Sequence, residues 1–271
     1  KKGPTIDQGE LEVNSVRGEN VNTGTIASSH VVTNTFLRHG VGVLRSSHTA
    51  GKQRYYQITI GTTGSNPDSA DIFDTSQSGL TSALNIIGVN GNTIQEPTGS
   101  GGVYLNPNSN FNWTGAVIPR GVTVFCGSSS TIRASNIAST IVTVYGQIGE
   151  EGNPCTIDLQ NLVFTGEMVH LKSNSKSYLK FVNSGSGNSS AGMTQVSIAN
   201  STNVFSTLYF ESLTPGVQDD RYGALAINNS SNVYVTMNIT SITSITQGKQ
   251  IVHISSSSNV SSVSFTGGFT S

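Results

Sequence analysis

Val169-His170-Leu171-Lys172-Ser173-Asn174 opens a phrase that the chain repeats. It returns as Val196-Ser197-Ile198-Ala199-Asn200-Ser201, as Leu225-Ala226-Ile227-Asn228-Asn229-Ser230 and as Val252-His253-Ile254-Ser255-Ser256-Ser257. The starts are 27, 29 and 27 residues apart. The last three copies run on into an Asn-Val pair, at Asn203-Val204, Asn232-Val233 and Asn259-Val260. The first runs on into Ser177-Tyr178 instead. A fixed period of this length marks a stacked repeat. Apolar and polar residues alternate within each copy, which places one side chain inward and the next outward, as in a strand. The Ser and Asn residues between runs favour corners, because their side chains bond the local backbone and Asn tolerates the left-handed conformation. One such unit cannot bury its apolar side alone, whereas a stack of them makes the core continuous. The predicted class is all-β, a parallel β-helix of about six coils at ~27 residues each between residue 115 and the C-terminus.

Composition agrees with that class. The 271 residues carry only 11% charged side chains and a net charge of -1. No basic field is available to hold nucleic acid. No apolar run reaches the ~20 residues that cross a bilayer, so membrane insertion is not expected. The first residues, Lys1-Lys2-Gly3-Pro4, lead into no apolar signal segment, and both ends of the sequence read as cut from a longer protein. Cys126 and Cys155 lie 29 residues apart, close to one repeat. The expectation is that they stack on neighbouring coils as small buried hydrophobes, in preference to a bridge or a reactive thiol.

Residues 1–55 have another rhythm. Ile6, Leu11, Val16, Val21, Ile26, Val31, Phe36 and Val41 fall at every fifth position. This reads as a thin N-terminal stem whose apolar row needs partner chains for burial, with a monomeric coil as the alternative. Residues 46–68 read as connecting sequence with one strand, Tyr56–Ile60. In the remainder, 56–271, Leu80, Ala83, Leu84 and Ile87 share one face of a short helix.

After that helix come Gly101-Gly102-Val103-Tyr104-Leu105-Asn106-Pro107, then Val117-Ile118-Pro119-Arg120-Gly121-Val122-Thr123-Val124, then Ser130-Thr131-Ile132. This order, over residues 74–133, resembles the entry of pectate-lyase-like right-handed β-helices, above all phage tailspikes. Asn106 stands where that family often has an apolar residue, and Asp74-Thr75 is a shortened form of its acidic lead-in. The resemblance implies a right-handed coil with a capping helix. It further implies a homotrimer fixed to other virion proteins through its N-terminal side, acting outside the cell on host surface polysaccharide. The expected function is adhesion to that glycan. The alternatives are a depolymerase, hydrolase or lyase, on the same scaffold, and a structural spacer.

The chemistry is sparse. Glycoside hydrolysis takes two carboxylates about 5 to 10 Å apart. The best acidic cluster is Glu211, Asp219 and Asp220 beside Arg221 and Tyr222, on an excursion over residues 211–223; a solvated loop is the competing reading. Glu150, Glu151, Asp158 and Glu167 form a looser group. Trp113, Tyr209 and Tyr222, with Arg221, are candidate sugar contacts, against core packing or surface scatter. His170 and His253 hold equivalent outward places about three coil steps of ~4.8 Å apart, too far for a shared metal. No Cys/His spacing resembles a zinc site, no phosphate loop opens a helix, and no cofactor or metal is expected.

Overall fold

The computed structural model describes residues 56–62, 72–86, 101–136, 138–162, 166–183, 195–211, 224–242 and 251–269. The five-residue rhythm of the stem lies outside them, as do Asp219, Asp220, Arg221, Tyr222 and Ile87.

The chain forms a parallel β-solenoid. Strand β1 (Tyr56–Ile60) comes first, followed by helix α1 (Gln77–Ile86). Next are β2 (Gly101–Leu105), β3 (Asn110–Trp113), β4 (Ala116–Ile118), β5 (Val122–Cys126), β6 (Thr131–Ala134), β7 (Val142–Val144), β8 (Gln147–Ile148) and β9 (Cys155–Asp158). The repeat phrases then supply β10 (Val169–Leu171), β12 (Val196–Ala199), β14 (Leu225–Asn228) and β16 (Val252–Ser255). Each is followed by a longer strand: β11 (Lys176–Val182), β13 (Thr202–Phe210), β15 (Ser231–Ile242) and β17 (Ser258–Phe269). The phrase strands and β7 and β4 make one sheet, ordered β16-β14-β12-β10-β7-β4. The longer strands belong to a second sheet that runs back through β8, β5 and β2 to β1. Every ladder between named strands is parallel, as coil-on-coil stacking requires.

The alternation predicted for each phrase sets the core. Val142, Val169, Val196 and Leu225 align in one row and are wholly buried. In the facing sheet Leu179, Leu208 and Met237 form another buried row, and Phe181 stacks on Phe210 at 4.9 Å with ring planes 9° apart. The corners close as the Asn residues allow. Asn174, Asn203, Asn232 and Asn259 all have positive φ, between 51° and 63°. Their side chains form a ladder in which each Nδ2 donates to the Oδ1 of the previous coil, at 3.3, 3.2 and 3.1 Å. Beside it Ser201 and Ser230, both buried, donate to the backbone carbonyls of Ala199 and Asn228 at 2.8 Å. These Asn and Ser groups are thereby satisfied within the protein, whereas the buried Ser175 hydroxyl in the first corner has no partner among the described residues.

The first copy of the phrase differs from the others in its corner. Val169 aligns with Val196, a step of 27, yet Lys176 aligns with Phe205, a step of 29. Its corner is therefore two residues shorter than the next one. Asn174 takes the ladder place that Asn203 holds in the following coil, and Ser177 meets its register partner Ser206 on the adjacent strand, their hydroxyl oxygens 2.7 Å apart.

The regular stack has about four turns, where division of length by repeat predicts about six. The entry is less regular than the phrase repeats: the turn Glu150–Asn153 separates β8 from β9, both paired to β11. Gly149 in that corner has φ +71°, and a Cβ there would stand 2.3 Å from the Tyr178 carbonyl oxygen, so only glycine fits. The strand expected within connecting sequence is instead the first rung of the solenoid: β1 pairs with β2, and Ile58 and Ile60 are wholly buried. Leu80, Ala83 and Leu84 of α1 are buried as the helical spacing predicts. Ser78 N–H donates to Ser76 Oγ at 3.2 Å, which caps the helix start.

The cysteine expectation is corrected. Cys126 and Cys155 do come together from neighbouring coils, but as a disulfide, with Cα atoms 5.3 Å apart. Stacking of coils brings any pair one repeat apart close to bridging distance. The spacing that predicts stacked thiols is therefore equally the spacing of a bridge.

Candidate functional site

The alternation that points Leu179, Leu208 and Met237 inward points their neighbours outward, and registration across coils turns those neighbours into rows. Lys176, Phe205 and Tyr234 stand in one row. Tyr178, Thr207 and Thr236 stand in the next, and Lys180, Tyr209 and Asn238 in the third. Phe205 and Tyr234 stack with centroids 4.9 Å apart and planes 6° from parallel. They remain 48% and 42% exposed, unlike the buried Phe181–Phe210 pair on the other side of the sheet. An apolar stack left in water on an otherwise hydroxyl-rich face is the kind of surface that meets a ligand.

Next to the stack lies a shallow hollow of about 190 Å³, bounded by Lys176, Tyr178, Phe205, Thr207, Tyr234 and Thr236. It is smaller than the ~300–1,000 Å³ of pockets that enclose drug-sized molecules. Its walls offer aromatic rings, phenol and threonine hydroxyls and one ammonium. The Lys176 Nζ sits 5.4 Å from the centroid of the Tyr178 ring, a cation–π contact on the rim. Tyr209, named from sequence as a sugar contact, is half-buried on this same outward face, in register with Lys180.

The other sequence candidates separate. Trp113 is wholly buried beside Phe111, their ring centroids 6.2 Å apart, so it has no face to offer a sugar and is withdrawn from the candidate contacts. Its position is an inward one of β3, whose burial alternates along the strand. Glu211 follows β13 at the edge of the outward face, exposed, with an oxygen 2.5 Å from Lys180 Nζ. Asp219, Asp220, Arg221 and Tyr222 lie outside the described residues.

The looser acidic group is not one cluster, because its members take different partners. Asp158 is buried and accepts hydrogen bonds from Arg133 Nε at 2.9 Å, Asn183 Nδ2 at 2.8 Å and the Gln160 N–H at 3.0 Å. Burial alone would push its carboxyl up; the Asn183, Gln160 and Arg133 contacts outweigh it and hold the carboxyl below its usual range. It ties the corner after β9 to both neighbouring coils. Glu167 meets His170 Nε2 at 2.6 Å, and the hydrogen bond from His170, reinforced by one from Ser197, holds this carboxyl down as well, against the opposing effect of burial. Glu150 and Glu151 are exposed on the turn before β9. His170 and His253 occupy one row of the phrase sheet, with Ser197 and Ala226 between them, as the repeat predicts. Among the described residues no three His, Cys, Asp or Glu side chains are grouped to hold a metal ion, and no helix is long and apolar enough to cross a membrane.

A sequence search for carboxylate pairs passes over Lys176, Tyr178, Phe205, Thr207, Tyr234 and Thr236. The signal that finds them is the outward phase of the second run in each coil, read 29 residues apart. No family model matches the chain, and no curated protein or solved structure matches it; the parallel β-solenoid is what the chain itself establishes.

Proposed function

We propose that this protein is a glycan-binding adhesin, an appendage protein of a phage virion that attaches to host surface polysaccharide. The exposed Phe205–Tyr234 stack, beside a hydroxyl-lined hollow, carries this reading. Aromatic faces cover the apolar face of a sugar ring, while threonine and phenol hydroxyls exchange hydrogen bonds with its rim. A rigid stacked scaffold holds these groups in place before the ligand arrives, which lowers the ordering cost of binding. The virion setting and a homotrimer joined through the N-terminal side rest on the resemblance of residues 74–133 to tailspike entries.

Binding to a panel of bacterial surface polysaccharides, by glycan array and then titration calorimetry, tests the reading. Replacing Phe205 and Tyr234 together by alanine is expected to weaken binding about thirtyfold, since truncating an aromatic anchor costs on the order of 2 kcal/mol. The unfolding temperature should barely move, because both rings lie outside the core. Binding that survives the double substitution would exclude this face as the binding site; no binding across the panel would favour a structural spacer. Light scattering on the same preparation should give a native mass near three times 28.4 kDa, and a clean monomer would refute the homotrimer.

A further inference from the structure

We infer that the hollow beside the aromatic stack is a subsite for an acidic sugar unit, one carrying a carboxylate, with Lys176 as its charge contact. This rests on the glycan-binding reading of the same face and names the class of glycan.

Two lysines bear on the face, and they differ in their partners. Lys180 is committed to Glu211, at 2.5 Å. The charges of that pair cancel, so it offers an incoming anion little net attraction. Lys176 is exposed and has no carboxylate partner among the described residues; its neighbour is the Tyr178 ring. It stands in register with Phe205 and Tyr234, at the end of the stacked row. The one uncompensated charge of the hollow is thus positive and sits where a ring lying against the stack would turn its edge. The neighbouring lining residues Tyr178, Thr207 and Thr236 are neutral and carry hydroxyls. A neutral sugar would gain no charge contact from the ammonium. A hexuronate would place its carboxylate there and leave its hydroxyls for the threonines. The volume of about 190 Å³ suits one sugar unit and not a folded oligosaccharide, so neighbouring units of a polymer would continue over the outward rows of the next coils.

The test compares uronate-containing bacterial capsular polysaccharides with the same polymers after chemical reduction of their carboxyl groups. Affinity is read for the full chain, for Lys176→Gln and for Lys176→Arg. The acidic polymer should bind about tenfold more tightly than its reduced form, the worth of a hydrogen bond to a charged group at a partly screened site. That preference should vanish in Lys176→Gln, persist in Lys176→Arg and shrink as salt is raised from 0.05 to about 0.5 M. Equal binding of both polymers, still dependent on Phe205 and Tyr234, would overturn the acidic subsite and leave the glycan reading standing. An acidic preference that survives Lys176→Gln would overturn the role of this lysine. Failure of every polymer in both forms would bring down both proposals. Since Lys176 is exposed, thermal unfolding of the variants should coincide with the parent, which separates lost binding from lost fold.

Discussion

Phe210→Ala is expected to destabilise the solenoid by about 3–5 kcal/mol, the range for removing a large aromatic from a packed core. The ring is wholly enclosed and stacks face to face on Phe181 at 4.9 Å. Ile239 follows it in register on the next coil, so deletion opens a void between two neighbours that the sheet spacing holds apart. Coils fixed by backbone ladders at ~4.8 Å cannot close over such a gap. The loss should therefore fall at the upper end of the range, and the stacking term of ~1 kcal/mol goes with it. Denaturant unfolding at equilibrium reads the effect. The contrast with Phe205→Ala is the sharper check, because that ring lies on the same strand, five residues earlier, and points into solvent. A loss under about 1 kcal/mol at Phe210, or a comparable loss at both positions, would mean that the inward and outward assignment of β13 is wrong.

That assignment was already legible in the sequence, and the reason is physical. A strand that packs on one side has to alternate, and four copies of one phrase report the alternation four times over. The corners were legible for a related reason: Asn is one of few residues that enter the left-handed region cheaply, and the Asn-Val pairs mark where the chain does so. The face that we propose for binding was not legible, since an outward aromatic such as Phe205 or Tyr234 is unremarkable by itself. It becomes a site only when register places it against its counterpart one coil away, and register depends on corner lengths. The corner after Leu171 is two residues shorter than the one after Ala199, so the phrase spacing of 27 misaligns the strands that follow it by two places. Trp113 shows the opposite error. Its size suggests a sugar platform, but it occupies an inward place in β3 and fills the core beside Phe111. Side-chain type named the candidate; strand phase decides what it does.

The same ambiguity governs the cysteines, and it leads to the second large effect. Reduction of the Cys126–Cys155 bond, or its replacement by a pair of serines, is expected to cost about 3.6 kcal/mol. The bond closes a loop with a sequence separation of 29, and a loop of that length restricts the unfolded chain by about that much in the chain-entropy account. In the folded state the bond adds little, because the coils on either side are already held. Cys155 aligns with Leu179, and Asn153 Nδ2 donates to the Cys126 carbonyl at 3.0 Å. The expected result is a protein that keeps its parallel β circular dichroism and its glycan binding after reduction, yet unfolds at lower temperature and lower denaturant concentration. The bond joins the end of β5 to the start of β9, in the entry turns where the Glu150–Asn153 turn breaks the regular stack. Its absence should therefore show first as faster amide exchange in β8 and β9, while the ladders from β11 onward stay protected. Uniform loss of protection along the whole solenoid would instead mean that entry and repeats unfold as one unit. An unchanged unfolding midpoint after full reduction would show that stacking alone holds the two coils together and that the bridge contributes nothing measurable.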